Sequence, residues 1–178
     1  MEQHFDLMEL KLVDPLDQAI PAKGIIPLQE LFEEQGEEAA SLCDLAEEAQ
    51  SYLESFPWCV SIEEGYFGDG VPDAVAVFLF RIEPSRPEID KWLWVILGDL
   101  PPAYLLTHIS KTPSQALEGY IEEMSKWVAL AKESKFSKKV IPVDAPPTPE
   151  NAADLEERLM LLARDVVPAF RKAELERG

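Results

Sequence analysis

The sequence predicts an α+β fold: an antiparallel sheet of about four strands, running as a meander, packed against three helices. Three observations carry that expectation. Leu28, Phe32, Gln35, Ala39, Leu42, Ala46, Ala49, Leu53 and Phe56 recur at spacings of four and three, which holds one mostly apolar stripe on one side of a helix. Between Trp58 and Ile109 short apolar runs succeed one another with connections too short for parallel crossovers, which need about a dozen residues. Thr112-Pro113 and Thr148-Pro149 each set a capping hydroxyl before a proline, the local chemistry of a helix start.

Taken in order, residues 1–27 read as an irregular lead-in or a docked arm. Phe5, Leu7 and Met8 are dense, and Pro15, Pro21, Gly24 and Pro27 punctuate the remainder of that stretch. The helical stripe begins at Leu28; Gly36 offers a break and Pro57 ends it. Trp58 to Glu63 alternates, with Trp58, Val60 and Ile62 on one face of a strand. Gly68-Asp69-Gly70 reads as a tight turn into Ala74–Ile82, a strand apolar on both faces that must be covered on both. Glu83 to Asp90, with Pro84 and Pro87, is a loop. The next strand sets Trp92, Trp94 and Ile96 against Leu93, Val95 and Leu97, and Gly98 to Pro102 turns the chain into Ala103–Ile109.

From Thr112 a helix carries Leu117, Tyr120, Met124 and Val128 on its buried side, with Gln115 placed to reach back to the cap amide. The lysines 132, 135, 138 and 139 and the proline-rich IPVDAPPTPE then lead to a last helix carrying Leu155, Leu159, Leu162 and Val166, ended or kinked by Pro168. The expected organisation is a core domain over 28–140, with 141–178 a linker and helix docked on the same domain. The alternative is an arm reaching a neighbouring subunit.

Net charge is the most unusual property of the chain. At 178 residues it carries a formal −18, and from residue 24 to residue 80 there is no Lys or Arg. Such a charge opposes binding to nucleic acid or to an anionic membrane and attracts a basic protein. No run approaches the roughly 18 apolar residues of a membrane span. The first residues mix acids with hydrophobes and lack a basic n-region, so the expected location is the cytoplasm.

Catalytic chemistry has little support. The two histidines, His4 and His108, stand in no recognisable nucleophile setting. Cys43 and Cys59 read as small buried hydrophobes, Cys59 with His108 being the one conceivable pair. No zinc spacing, Walker or dinucleotide glycine pattern is present, and GDGVPD lacks the ligand series of a calcium loop. No metal or cofactor is expected. Glu63, Glu64, Asp69 and Asp99 are the acids at strand ends or turns where paired carboxylates would have to lie.

Trp94-Val95-Ile96, Gly98-Asp99-Leu100-Pro101 and Tyr104 together resemble the segment Trp-Trp-Val-Ile-Ser-Gly-Asp-Leu-Pro-x-Asp-Tyr of a family of small bacterial proteins of unknown function. The resemblance covers roughly residues 74–131. This chain has Leu93, Leu97 and Ala103 where the pattern has Trp, Ser and Asp. It implies a bacterial cytosolic domain and no particular activity.

The functional expectation is a non-enzymatic interaction protein whose acidic helix face, including Glu33, Glu37 and Glu47, docks a basic partner, as an immunity protein neutralises a cationic toxin. Two alternatives stand beside it. One is a small-ligand binder or enzyme with its pocket near Gly98–Pro102, using Asp99 and Tyr104. The other is an oligomer-forming domain with no site of its own.

Overall fold

The computed structural model describes residues 19–177. The lead-in expected over residues 1–27 therefore lies mostly outside the described residues. Its last two residues, Ile26–Pro27, form a short strand β1. Then come helices α1 (Leu28–Glu33) and α2 (Glu37–Glu54), strands β2 (Cys59–Val71), β3 (Val75–Pro84), β4 (Trp92–Gly98) and β5 (Leu100–Leu106), and helix α3 (Pro113–Lys132). The C-terminal rod is α4 (Pro149–Leu161), a π-helical turn (Leu162–Val166) and α5 (Val167–Arg177). The strands lie in sequence order β1-β2-β3-β4-β5, every pair antiparallel. The fold is α+β, with five strands rather than about four.

Two apolar layers hold it together. Val75, Val77, Leu79, Trp92, Trp94 and Ile96 face α3 and the C-terminal rod, in one buried cluster with Tyr120, Met124, Leu155 and Leu159. Ala76, Phe78, Phe80, Ile82, Leu93, Val95 and Leu97 face the other way, against Leu28, Leu31, Ala46, Ala49 and Leu53 of α1 and α2. The doubly apolar runs of β3 and β4 are thus sandwiched between helical layers. Each fully buried Leu or Phe there contributes about 1.5–3 kcal/mol. The polar atoms that enter the layers are matched: the Trp94 indole donates to the Ser110 carbonyl at 2.9 Å, and the Tyr120 hydroxyl to the Pro101 carbonyl at 2.5 Å.

The helix starts obey their local chemistry. Thr112 Oγ1 accepts from the Gln115 amide and Thr148 Oγ1 from the Asn151 amide. The Gln115 side chain returns to the amide of Lys111, one residue before the cap, rather than to the cap itself. Gly36, at φ +111, separates α1 from α2. That separation resets the helical phase, so Leu31 is buried and Phe32 is 46% exposed, the reverse of a single continuous stripe.

Three further expectations are corrected. Gly68-Asp69-Gly70 is not a turn: β2 runs through it to Val71, and the turn falls at residues 72–74 with Asp73 at φ +64. Those glycines answer close approach instead. A Cβ at Gly68 would meet Pro113 at 2.9 Å, and one at Gly70 would meet Leu42 at 2.9 Å. Second, register shifts near the start of β2 turn Cys59 inward and leave Val60 64% exposed, against the expected Trp58-Val60-Ile62 face. Third, the β4–β5 hairpin is tighter than Gly98–Pro102: Gly98 pairs with Leu100, so Pro101 and Pro102 belong to β5. Pro168 neither ends nor simply kinks its helix. The missing N–H and the ring clash with the preceding turn coincide with the π turn, and the rod continues to Arg177.

Candidate functional site

Glu33, Glu37 and Glu47 lie exposed on the outer side of α1 and α2, joined there by Glu34, Glu38, Asp44 and Glu48. The opposite side of α2 is apolar and buried, so its charges have one direction in which to point. The sheet adds to this face. Ser41, Asp44, Leu45 and Glu48 succeed one another at helical spacing along α2 and form one wall of a hollow of about 360 Å³. Asp73 of the β2–β3 turn and Gly98-Asp99 of the β4–β5 hairpin form the other wall. Four carboxylates therefore line one hollow, and among the described residues no basic side chain does.

Both walls are fixed by named contacts. Ser41 and Asp73 bond each other across the hollow, and the Asp99 amide donates to the Ala74 carbonyl at 2.9 Å. A cation reaches Asp99 from the far layer: Arg158 Nε of α4 lies 3.5 Å from Asp99 Oδ2, both side chains exposed. An exposed pair of that kind contributes roughly 0–1 kcal/mol and exchanges readily with other cations.

Tyr104 is elsewhere. It stands opposite Val95 on the α2 side of β5, and its ring meets Trp58 at 5.1 Å and Phe56 at 5.5 Å, both near edge-on. Phe56 stacks on Trp58 at 4.8 Å, and Tyr52 meets Phe56 edge-on at 5.1 Å. The Tyr52 hydroxyl is pushed up to about 12, chiefly by burial and then by Tyr104, with the Tyr104 backbone amide acting in the opposite sense. Tyr104 and Trp58 also wall a second hollow, of about 270 Å³, closed by Arg86, Glu88, Ile89 and Asp90 of the β3–β4 loop. Asp99 and Tyr104 thus belong to opposite ends of the α2 face rather than to one pocket at the turn. Asp99 joins the acids and Tyr104 joins an aromatic group.

The remaining candidates are dispersed. Ser61 donates to Glu63, and Glu64 is bonded by both Tyr66 and Arg81. Asp69 is half-buried, accepts from the Gly70 amide and is attracted by Arg177; burial raises its pKa. None of these carboxylates lines the hollow beside Asp99. Burial raises both cysteine thiols, which disfavours a thiolate nucleophile. The Cys59 thiol donates to the nearby Ser61 carbonyl, while His108 is exposed beyond β5. Among the described residues no three His, Cys, Asp or Glu side chains are grouped to hold a metal ion, and no helix is long and apolar enough to cross a membrane.

The aromatic group is legible in the sequence only in part, since Phe56 and Trp58 flank Pro57 but Tyr104 reaches them through sheet register. The chain matches no protein-family model, no curated protein and no solved structure.

Proposed function

We propose that this chain is a non-enzymatic interaction module whose acidic α1–α2 face docks a basic protein partner, in the manner of an immunity protein neutralising a cationic toxin. One observation carries the reading. The cation-free stretch of the sequence and the tip of the β4–β5 hairpin meet at a single hollow, with Asp44, Glu48, Asp73 and Asp99 around it and Glu33, Glu37 and Glu47 beyond. A field of one sign over such a surface raises the rate at which a cationic partner arrives. The resemblance to small bacterial proteins of unknown function rests on the same β4–β5 hairpin, and kinship with them is part of this proposal.

The experiment is capture from a native lysate at low and high salt with the wild-type chain and with Glu33→Lys, Glu37→Lys and Glu47→Lys combined. The expected catch is basic, elutes with salt and is missing from the variant. A partner retained equally by both proteins at high salt would overturn the docking mode. A second reading has its own support: the hollow beside Asp99 is large enough for a small organic cation. Saturable binding of a polyamine, abolished by Asp99→Asn with Asp73→Asn, would favour it over a protein partner.

A further inference from the structure

Among the described residues β5 is an edge strand, and its two halves are treated differently. Pro101 and Pro102 occupy the first half; backbone groups alternate in direction along a strand, so one of their two missing amides lies where another strand would need a donor. The second half, Tyr104 to Leu106, carries no such block. Which groups face outward is set by the register. The bonds from Ile82 N to Lys91 O and from Asp99 N to Ala74 O show that the odd-numbered residues of β4 point to β3. Its even-numbered residues therefore point to β5, where Trp94 faces Leu105 and Ile96 faces Ala103. Tyr104 and Leu106 consequently direct their backbone groups away from the sheet.

Of these groups, the Tyr104 amide faces the Tyr52 hydroxyl, and the Leu106 carbonyl lies at the start of the turn over 107–109. The Tyr104 carbonyl and the Leu106 amide are left with no partner among the described residues. An acceptor with a donor two residues on is the spacing that one residue of an added parallel strand bridges.

Hollows flank the same half strand on both faces of the sheet. On the α2 side, the hollow of about 270 Å³ is floored by Leu93 and Leu106, walled by Trp58 and Tyr104, and rimmed by Glu88, Asp90 and Arg86, the last 3.4 Å from Glu88 and leaving Asp90 the freer acid. On the α3 side, one of about 250 Å³ lies among Leu105, Ile109, Gly119 and Ile141, rimmed by Glu122 and Glu123. Ile109 is 72% exposed there. Open backbone between two hollows suits an extended segment, whose successive side chains point to opposite faces. Acids at both rims suit Lys and Arg with apolar stems. A second copy of this chain would bring the same four acids to the seam with only Arg86 among the hollows' lining residues to offset them, and so is repelled.

We propose that the Tyr104–Leu106 edge of β5 adds an extended, Lys- or Arg-bearing segment of a partner as a further strand, its side chains seated alternately in the two hollows. The proposal rests on the basic-partner reading and gives that partner a conformation.

The test uses a synthetic peptide of about eight residues alternating Lys and Val, its Glu–Val counterpart, and two versions of the Lys–Val peptide N-methylated at either the odd or the even positions. Titration is monitored with backbone amide exchange of the protein. The Lys–Val peptide is expected to bind and to slow exchange at Leu106. One N-methylated version, the one whose amides face β5, should bind at least tenfold more weakly, and the Glu–Val peptide should not bind. Equal binding by the parent and both methylated versions overturns strand addition. So does the absence of any binding, or protection of Leu106 by self-association without peptide. The two proposals fail separately. Binding that depends on Glu37 and Glu47 but ignores N-methylation keeps the acidic face and removes the added strand. Binding with the reverse dependence keeps the strand and removes the face.

Discussion

Ser41 and Asp73 are joined twice. The Ser41 hydroxyl donates to Asp73 Oδ1 at 2.9 Å and accepts from the Asp73 amide at 2.9 Å. One small side chain thereby ties the first turns of α2 to the β2–β3 turn and holds Asp73 at its left-handed φ of +64. The two walls of the acidic hollow are set by this contact more than by apolar packing, since only Leu45 among the lining side chains belongs to the core.

Replacing Ser41 by Ala should therefore cost about 1 kcal/mol of stability, the net worth of hydrogen bonds partly open to water. Denaturant unfolding is expected to show a lower midpoint with an unchanged slope. The amide of Asp73 should exchange faster in the variant. A midpoint equal to wild type would mean that the turn holds its shape without α2.

Gly98 tests the hairpin tip. Its φ is +148, and a Cβ there would lie 2.2 Å from the Ala74 carbonyl oxygen, a backbone atom that cannot swing away. Gly98→Ala is expected to destabilise the chain by more than about 3 kcal/mol, because strain and collision act together. Thermal unfolding reads this directly. A loss under about 1 kcal/mol would show that β4 and the β2–β3 turn can part at small cost.

These two sites also show where the sequence can be read and where it cannot. The caps at Thr112 and Thr148 and the break at Gly36 depend on chemistry within three or four residues, and the structure agrees with them. The doubly apolar runs of β3 and β4 announce helices on both faces because no other environment suits them. Gly68 and Gly70 mislead because a glycine that permits a turn looks, in sequence, like a glycine that admits Pro113 or Leu42 from another element. The candidate site shares that difficulty. Glu37 and Glu47 declare themselves by the absence of cations around them, whereas Asp99 joins them and Tyr104 leaves them only through sheet register.

Asp69 sets a pH dependence. Burial is the leading cause of its raised pKa, with Glu174 adding to it and the Gly70 amide and Arg177 opposing it. A carboxyl with a raised folded-state pKa holds its proton more tightly folded than unfolded. Its contribution to stability is fully present below the ordinary value of 3.8 and is lost as pH rises through the folded value. Asp69→Asn, which keeps an oxygen for the Gly70 amide, should thus raise the Tm at neutral pH. The two proteins should converge when melted well below pH 3.8. A Tm lowered at neutral pH would mean that the attraction to Arg177 outweighs burial.

The acidic face and the aromatic group should separate in binding kinetics. Glu37 and Glu47 are exposed, so they act on a basic partner through a screened field while it approaches; about 8 Å of range remains at physiological salt. Glu37→Lys with Glu47→Lys is expected to lower the association rate several-fold and flatten its salt dependence, leaving dissociation nearly unchanged. Tyr104 is 36% exposed and its ring packs against Phe56 and Trp58, so its influence is felt only once surfaces are in contact. Tyr104→Ala removes that wall and should speed dissociation, at a cost of about 1–2 kcal/mol in affinity, with association little altered. Stopped-flow mixing of both variants with the captured partner at two salt concentrations resolves the two rates. If Tyr104→Ala slows association and the lysine pair speeds dissociation, the assignment of steering to the helix and anchoring to the aromatic group is reversed.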